Sequence, residues 1–143
     1  MELIWRTHRF LFRASGGWIG AQLGALPVLS LSVRGRKSGA AREVLLNYIR
    51  DGDRYVVFAS HAGEEREPPW WLNLREAGEA EVMTPGERFR ARAREAEGAE
   101  RERLWSDVKQ RDDAYAEYEK RTARRIAVVV LEVAQDVPRT TQL

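Results

Sequence analysis

The chain has 143 residues, of which 43% are hydrophobic and 32% charged, with five Trp; that is enough for one domain with its own core and excludes a disordered chain. Lys and Arg number 24 against 22 Asp and Glu, so the net charge is only +2 and no general basic field argues for nucleic acid. There is no Cys, and His8 and His61 are the only histidines, which excludes disulfides, thiol nucleophiles and thiolate metal sites and leaves no metal-ligand spacing or nucleophile elbow.

Residues 2–12 carry a broad apolar face with Arg6 and Arg9 on the remainder, which predicts a helix. Such a helix packs over its own domain or lies on an anionic membrane surface as a peripheral contact. Gly16, Gly17, Gly20 and Gly24 then make a connector as far as Pro27. No apolar run is long enough to span a bilayer and the start lacks a signal-peptide pattern, so the expected location is cytoplasmic.

From Val28 the pattern has period two, with Leu29, Leu31 and Val33 on one face of a strand. The basic turn Gly35-Arg36-Lys37-Ser38-Gly39 follows, with Arg42 close behind. Two readings suit it: a solvated hairpin tip, or an anion site in which two glycines at positive φ turn amides toward a phosphate. Val44 to Ile49 reads as a strand buried on both sides, Asp51-Gly52-Asp53 as a hairpin turn, and Tyr55 to Ala59 as the next strand of a meander.

Ser60 to Pro69 is a polar loop, and Trp70 to Ala77 a helix opened by Pro69 and closed by Gly78. A second hairpin turns at Pro85-Gly86-Glu87, and its second arm sets Arg88, Arg90, Arg92 and Arg94 along one outer edge. That stripe has no interleaved aromatic platform, so a solvated face paired with Glu81 and Glu87 is expected rather than a nucleic-acid surface. Leu104, Trp105 and Val108 mark a helix from Gly98, Tyr115 and Tyr118 mark another, and Ala127 to Val133 is a buried strand. The order predicts an α+β, mainly β fold: an antiparallel barrel of about six strands with flanking helices, not a parallel sheet. Its core domain spans residues 27–137, after the N-terminal helix and connector of residues 1–26, with residues 138–143 as a frayed tail.

Several segments in order resemble the deazaflavin-dependent nitroreductase family: Gly35 to Gly39 with Arg42, Tyr55-Val-Val-Phe-Ala-Ser60, Pro69-Trp70-Trp-Leu-Asn73-Leu74, Arg103-Leu-Trp105, Tyr115-Ala-Glu-Tyr118 and Arg125 to Glu132. The resemblance implies a split β-barrel and the cofactor coenzyme F-420, an 8-hydroxy-5-deazaflavin, as hydride donor to a quinone, enone or nitroaromatic acceptor. It further implies that Lys37 and Arg42, with Arg36 and Ser38 in the same turn, hold the cofactor phosphate. Ala59, Ser60 and His61 would follow the ring edge, and Trp70 and Asn73 would close the pocket. Tyr115 and Tyr118 would stand on the acceptor side as wall, hydrogen-bond donor or proton source, with His61 as the other proton source. The tyrosine pair equally suits packing of its helix on the barrel. Two departures stand out: His61-Ala62-Gly63 and an acidic run where the family often has Lys or Asn and two glycines, and Ala127 where it often has Pro. An FMN-dependent split-barrel oxidoreductase and a non-catalytic carrier of an anionic ligand are the alternatives, as monomer or homodimer.

Overall fold

The computed structural model describes residues 22–23, 26–134 and 140–141; the helix expected over residues 2–12 and most of the glycine connector lie outside them. Two short strands, β1 (Gln22–Leu23) and β9 (Thr140–Thr141), flank a run of seven others. These are β2 (Leu26–Arg34), β3 (Ala41–Asn47), β4 (Ile49–Asp51), β5 (Arg54–Phe58), β6 (Glu79–Thr84), β7 (Glu87–Glu95) and β8 (Val128–Val133). Among the described residues a 3-10 turn covers His61–Gly63, and three helices accompany the strands: α1 (Pro69–Ala77), α2 (Gly98–Arg111) and α3 (Ala114–Arg121).

The local signals act as their chemistry dictates. Gly52 (φ 64°) and Gly86 (φ 79°) take the left-handed conformation that their two hairpin turns need. Pro69 opens α1, where a missing N–H costs nothing. Gly78 closes it at φ 79°, its N–H donating to the Leu74 carbonyl at 2.7 Å.

All ladders are antiparallel, in the order β1-β2-β6-β7-β8-β5-β4, with β3 on β2 and β9 on β7. Tyr48 alone separates β3 from β4, and its N–H donates to the Pro27 carbonyl at 3.0 Å. One bent strand therefore pairs with β2 through its first half and with β5 through its second. That bend draws the two ends of the sheet together into a split barrel. Counting β3 and β4 as one strand leaves the expected six, plus the two short ones.

Alternate residues point inward, so Leu29, Leu31, Val57, Val82, Phe89 and Leu131 fill the barrel. The opposite faces of β5 and β8 are not solvated. Val56, Phe58, Val128 and Val130 pack under Leu104, Trp105, Val108 and Tyr115 of α2 and α3. This corrects the strand assignment: the doubly buried strands are β5 and β8, whereas residues 43–47 of β3 are each only half-buried. Val44 and Leu46 pack against the barrel core and Leu45 against Val28 and Met83, while the strand as a whole borders a cavity.

The meander expected after Val28 is present, since the bent strand pairs with β2 through β3 and with β5 through β4, and the other edge of β5 pairs with β8 in the register Tyr55↔Leu131 to Phe58↔Val128. One further expectation changes. The last residues are not simply a frayed tail, since Thr140 and Thr141 pair with Arg88 and Glu87.

The arginine stripe is a solvated, charge-paired face. Arg88 meets Glu81 at 3.4 Å and Arg90 meets Glu79 at 3.5 Å, both diagonally across the β6–β7 ladder. Arg94 leaves the stripe for a network with Glu100 (2.6 Å) and Glu132 (3.0 Å), which also takes Arg54 (3.2 Å). Arg103 clasps Asp51 with two hydrogen bonds of 2.9 and 3.1 Å, tying α2 to the β4–β5 hairpin. Hydrogen bonds from Arg103 and Arg94 hold the Asp51 and Glu100 carboxyls below their ordinary 3.8 and 4.5. Both folded values are depressed, so the stability they contribute is full above the unfolded values and is lost as pH falls through them. The urea midpoint should therefore stay level down to about pH 5 and drop below about pH 4.5, and Asp51→Asn with Glu100→Gln should flatten that acid limb.

Candidate active site

The split between β3 on one side and the 3-10 turn and α3 on the other opens a cavity of about 960 Å³. That is at the upper end of the range for small-molecule sites, about 300–1,000 Å³. Register shows which backbone faces it. Gly35 bonds to Ala40 and Tyr48 to Pro27, so the β2-bonded residues of β3 are Arg42, Val44 and Leu46. The N–H and C=O groups of Glu43, Leu45 and Asn47 therefore point to the other edge of the strand, toward the split.

At one end lies the basic turn. It closes on itself through Gly35 N–H to Ala40 O and Gly39 N–H to Gly35 O, both 2.8 Å. Only Gly39 is left-handed (φ 74°). Gly35 is needed for space instead, because a Cβ there would sit 3.2 Å from the Ala40 carbonyl and 3.1 Å from Ser38 Oγ. Four of the turn's amides are used internally: those of Gly35 and Gly39 as above, Ala40 on Ser38 Oγ (3.2 Å), and Arg36 on Asn73 Oδ1 (3.1 Å). The amides of Lys37 and Ser38 have no partner among the described residues.

Asn73, buried on α1, accepts from both the Arg36 amide and Arg36 Nη1 (2.7 Å). It latches the helix to the basic turn. Arg42 reaches only Ser38 Oγ, at 3.5 Å. Among the described residues no carboxylate lies within ion-pair distance of Arg36, Lys37, Arg42 or Arg66, and all four line the cavity. Arg36, Lys37 and Arg42 against Glu43 make this end anion-attracting, and Arg66 adds a fourth cation to the lining.

The far wall is lined by Ser60, His61, Ala62 and Trp70, together with Phe58, Tyr115 and Tyr118. His61 Nδ1 lies 3.0 Å from the Arg66 carbonyl and Nε2 3.3 Å from Glu64, so both contacts are hydrogen bonds only when both ring nitrogens carry protons. The acidic run is largely paired: Glu64 with His61, and Glu67 with Arg75 at 3.7 Å. Tyr115 is 5% exposed, packed between Phe58, Trp105 and Tyr118 at centroid distances of 5.4–6.2 Å. Burial, with Tyr118 and Asp112 nearby, pushes its phenol well above the ordinary 10.0. Its ring forms part of the cavity lining.

Of the residues singled out in the sequence, the structure gathers Arg36, Lys37, Ser38, Arg42, Ser60, His61, Trp70, Asn73, Tyr115 and Tyr118 around this one space. Ala59 stands behind the wall, fully buried in the barrel core. The β3 edge, Phe58 and Arg66 were not anticipated; the apolar run Val44-Leu45-Leu46 was the available signal for the first.

A split barrel with a cationic turn at one end of an aromatic-walled cleft is a binding fold for an elongated anionic ring compound. Residues 4–133 match the model of the F-420H(2)-dependent quinone reductase family. An F-420H(2)-dependent quinone reductase of Mycobacterium tuberculosis is 36% identical over 130 residues, covering 88% of this chain and 87% of that one. Among solved structures, an F-420-H2 dependent reductase is 32% identical with a TM-score of 0.68, covering 74% and 94%. A protein described as a domain-swapped dimer is 30% identical with a TM-score of 0.71, covering 91% and 96%. The chain belongs to the F-420H(2)-dependent quinone reductase family, and it is an F-420-dependent oxidoreductase.

Proposed function

We propose that the cleft binds F-420 with its phosphate on Lys37 and Arg42 and presents its ring to a quinone-type acceptor beside Tyr118. The observation that carries this reading is the juxtaposition in one cavity of Arg36, Lys37 and Arg42, none with a carboxylate partner among the described residues, with Trp70 and Tyr118. The donor set fits the group: an anion takes charge-assisted bonds from the two side chains and from the Lys37 and Ser38 amides. When bound, reduced F-420 supplies a hydride from C5 to the electron-poor acceptor. Everything else is placement. Asn73 fixes Arg36 and the turn, while the β3 edge, the Ser60–Ala62 segment and Trp70 line the slot. Placement of this kind supplies about 7–11 kcal/mol in favourable cases, so no dedicated acid is required for turnover.

For the proton that accompanies the hydride, half-exposed Tyr118 is the better side chain than Tyr115. Tyr118→Phe should lower kcat by about tenfold, less than a full general-acid effect because water in an open cleft can substitute. Tyr115→Phe should change it by no more than about twofold. Equal rates for parent and Tyr118→Phe would reject that assignment.

The experiment for the whole reading is titration of oxidised F-420 and of FMN, followed by oxidation of reduced F-420 with menadione. Tight F-420 binding with turnover supports the reading. FMN binding in its place favours a flavin enzyme, and F-420 binding without turnover favours a carrier. The relative described as a domain-swapped dimer supports a homodimer here, which light scattering on the purified chain tests. The reading places the enzyme in the cytoplasm; no described helix is long and apolar enough to cross a membrane.

A further inference from the structure

The wall opposite β3 contains a backbone conformation that should not persist unaided. His61 (φ 46°) and Ala62 (φ 52°) are consecutive non-glycine residues in the left-handed region, followed by Gly63 at φ 79°. Side chains resist that region, and such strain lasts only where the surroundings over-determine it. Two short turns, Gly63 N–H to Ser60 O (2.8 Å) and Glu64 N–H to His61 O (3.0 Å), tighten the segment but do not anchor it to the barrel.

The anchor is Arg124, in the link between α3 and β8. Its guanidinium donates from Nη1 to Ala59 O (3.0 Å), from Nη2 to Ser60 O (3.0 Å) and Glu64 O (2.9 Å), and from Nε to Glu64 O (3.2 Å). Three carbonyls at the two ends of the strained segment thus meet one planar fork. Among the described residues Arg124 has no carboxylate partner, so its donors are spent on holding backbone. α3 presses on the same segment. A Cβ at Gly63 would lie 2.9 Å from the Tyr118 carbonyl, and Arg121 Nη1 reaches Ala62 O at 3.4 Å. The loop bearing Ser60, His61 and Ala62 and the helix bearing Tyr118 therefore meet backbone to backbone across the cleft floor.

We propose that Arg124 is a positioning residue for hydride transfer: it holds the Ser60–Glu64 loop in its strained shape against α3, and so fixes the spacing between the ring-side wall and the acceptor-side Tyr118. This rests on the reading of the cleft given above. The requirement is for a planar, multiply bonded cation, since an ammonium is a point charge that cannot span three carbonyls in the same geometry. Arg124 touches neither the basic turn nor the phosphate end, so its loss should act on the reaction more than on binding.

The test compares the parent with Arg124→Gln and Arg124→Lys in the full chain. Measured together are affinity for oxidised F-420, kcat with menadione at saturating reduced F-420, melting temperature, and amide exchange over residues 60–66. The expected results for Arg124→Gln are faster exchange in that segment, an F-420 affinity within about threefold of the parent, and kcat lower by about tenfold or more. Arg124→Lys should recover the melting temperature without recovering kcat. If Arg124→Lys turns over like the parent, or if Arg124→Gln keeps kcat within about twofold while its loop exchanges faster, the proposal is overturned. Unchanged exchange in both variants overturns it too, because the clamp would then hold nothing. A parent that fails to bind F-420 at all would instead defeat the assignment of the cleft.

Discussion

Replacing Lys37 and Arg42 together by alanine should weaken binding of oxidised F-420 by about 100-fold or more. Hydrogen bonds to charged groups contribute about 1.5–3 kcal/mol each, so losing two removes at least about 3 kcal/mol. The effect should fall on affinity alone. Both side chains are exposed and neither is ion-paired among the described residues, so the melting temperature should hardly move. The parent's affinity should also decline with added salt and the double variant's much less, because the lost attraction is the screened part. A double variant that binds within a few-fold of the parent would show that the anion sits elsewhere.

Leu74→Ala is expected to damage the fold strongly while leaving every cavity-lining side chain in place. Leu74 is fully buried on the inner face of α1, in the same cluster as Trp71, Leu31 and Val82. Truncating a buried leucine costs about 2–5 kcal/mol, against a total stability of about 5–15 kcal/mol for a domain. The urea midpoint reads it directly. Because α1 also carries Trp70 and the Asn73 latch on Arg36, F-420 affinity should fall with stability. Loss of stability with undiminished affinity would mean that α1 does not position the basic turn.

What could be read from the residues was what is local in physics. Gly52, Gly86, Pro69 and Gly78 each act within a few residues of themselves, and each sits where turn or cap chemistry put it. The period-two pattern of Leu29, Leu31 and Val33 likewise needs no partner to be seen. Partner choice is another matter. Tyr55 opposite Leu131 joins strands separated by three helices and the β6–β7 hairpin, and nothing near either residue announces the pair. The burial of β3 was overestimated because an apolar run reads the same whether a helix covers it or a cleft borders it. β5 shows the first, and β3, half-buried along the cavity, the second.

The site was legible where the motif itself carries charge, as in Arg36, Lys37 and Arg42, and the family resemblance supplied the distant pieces Trp70, Asn73 and Tyr118. Gly35 was expected at positive φ and is instead a tight spot, where a Cβ would come within 3.2 Å of the Ala40 carbonyl. Arg124 carried no signal at all. It is one arginine among several in a polar link, and its function is visible only once three carbonyls of another loop stand around it.

The central claim is that the arginine–lysine turn is the phosphate end of the deazaflavin site, and one comparison reaches it most directly. Fluorescence titration of the parent chain with oxidised F-420, and with the same deazaflavin and ribityl core lacking the phosphate and tail, separates ring recognition from anion recognition. The account predicts that the phosphate-bearing cofactor binds at least about 100-fold more tightly at low salt, and that the gap narrows as salt is added. Equal affinity for the two, insensitive to salt, would contradict it.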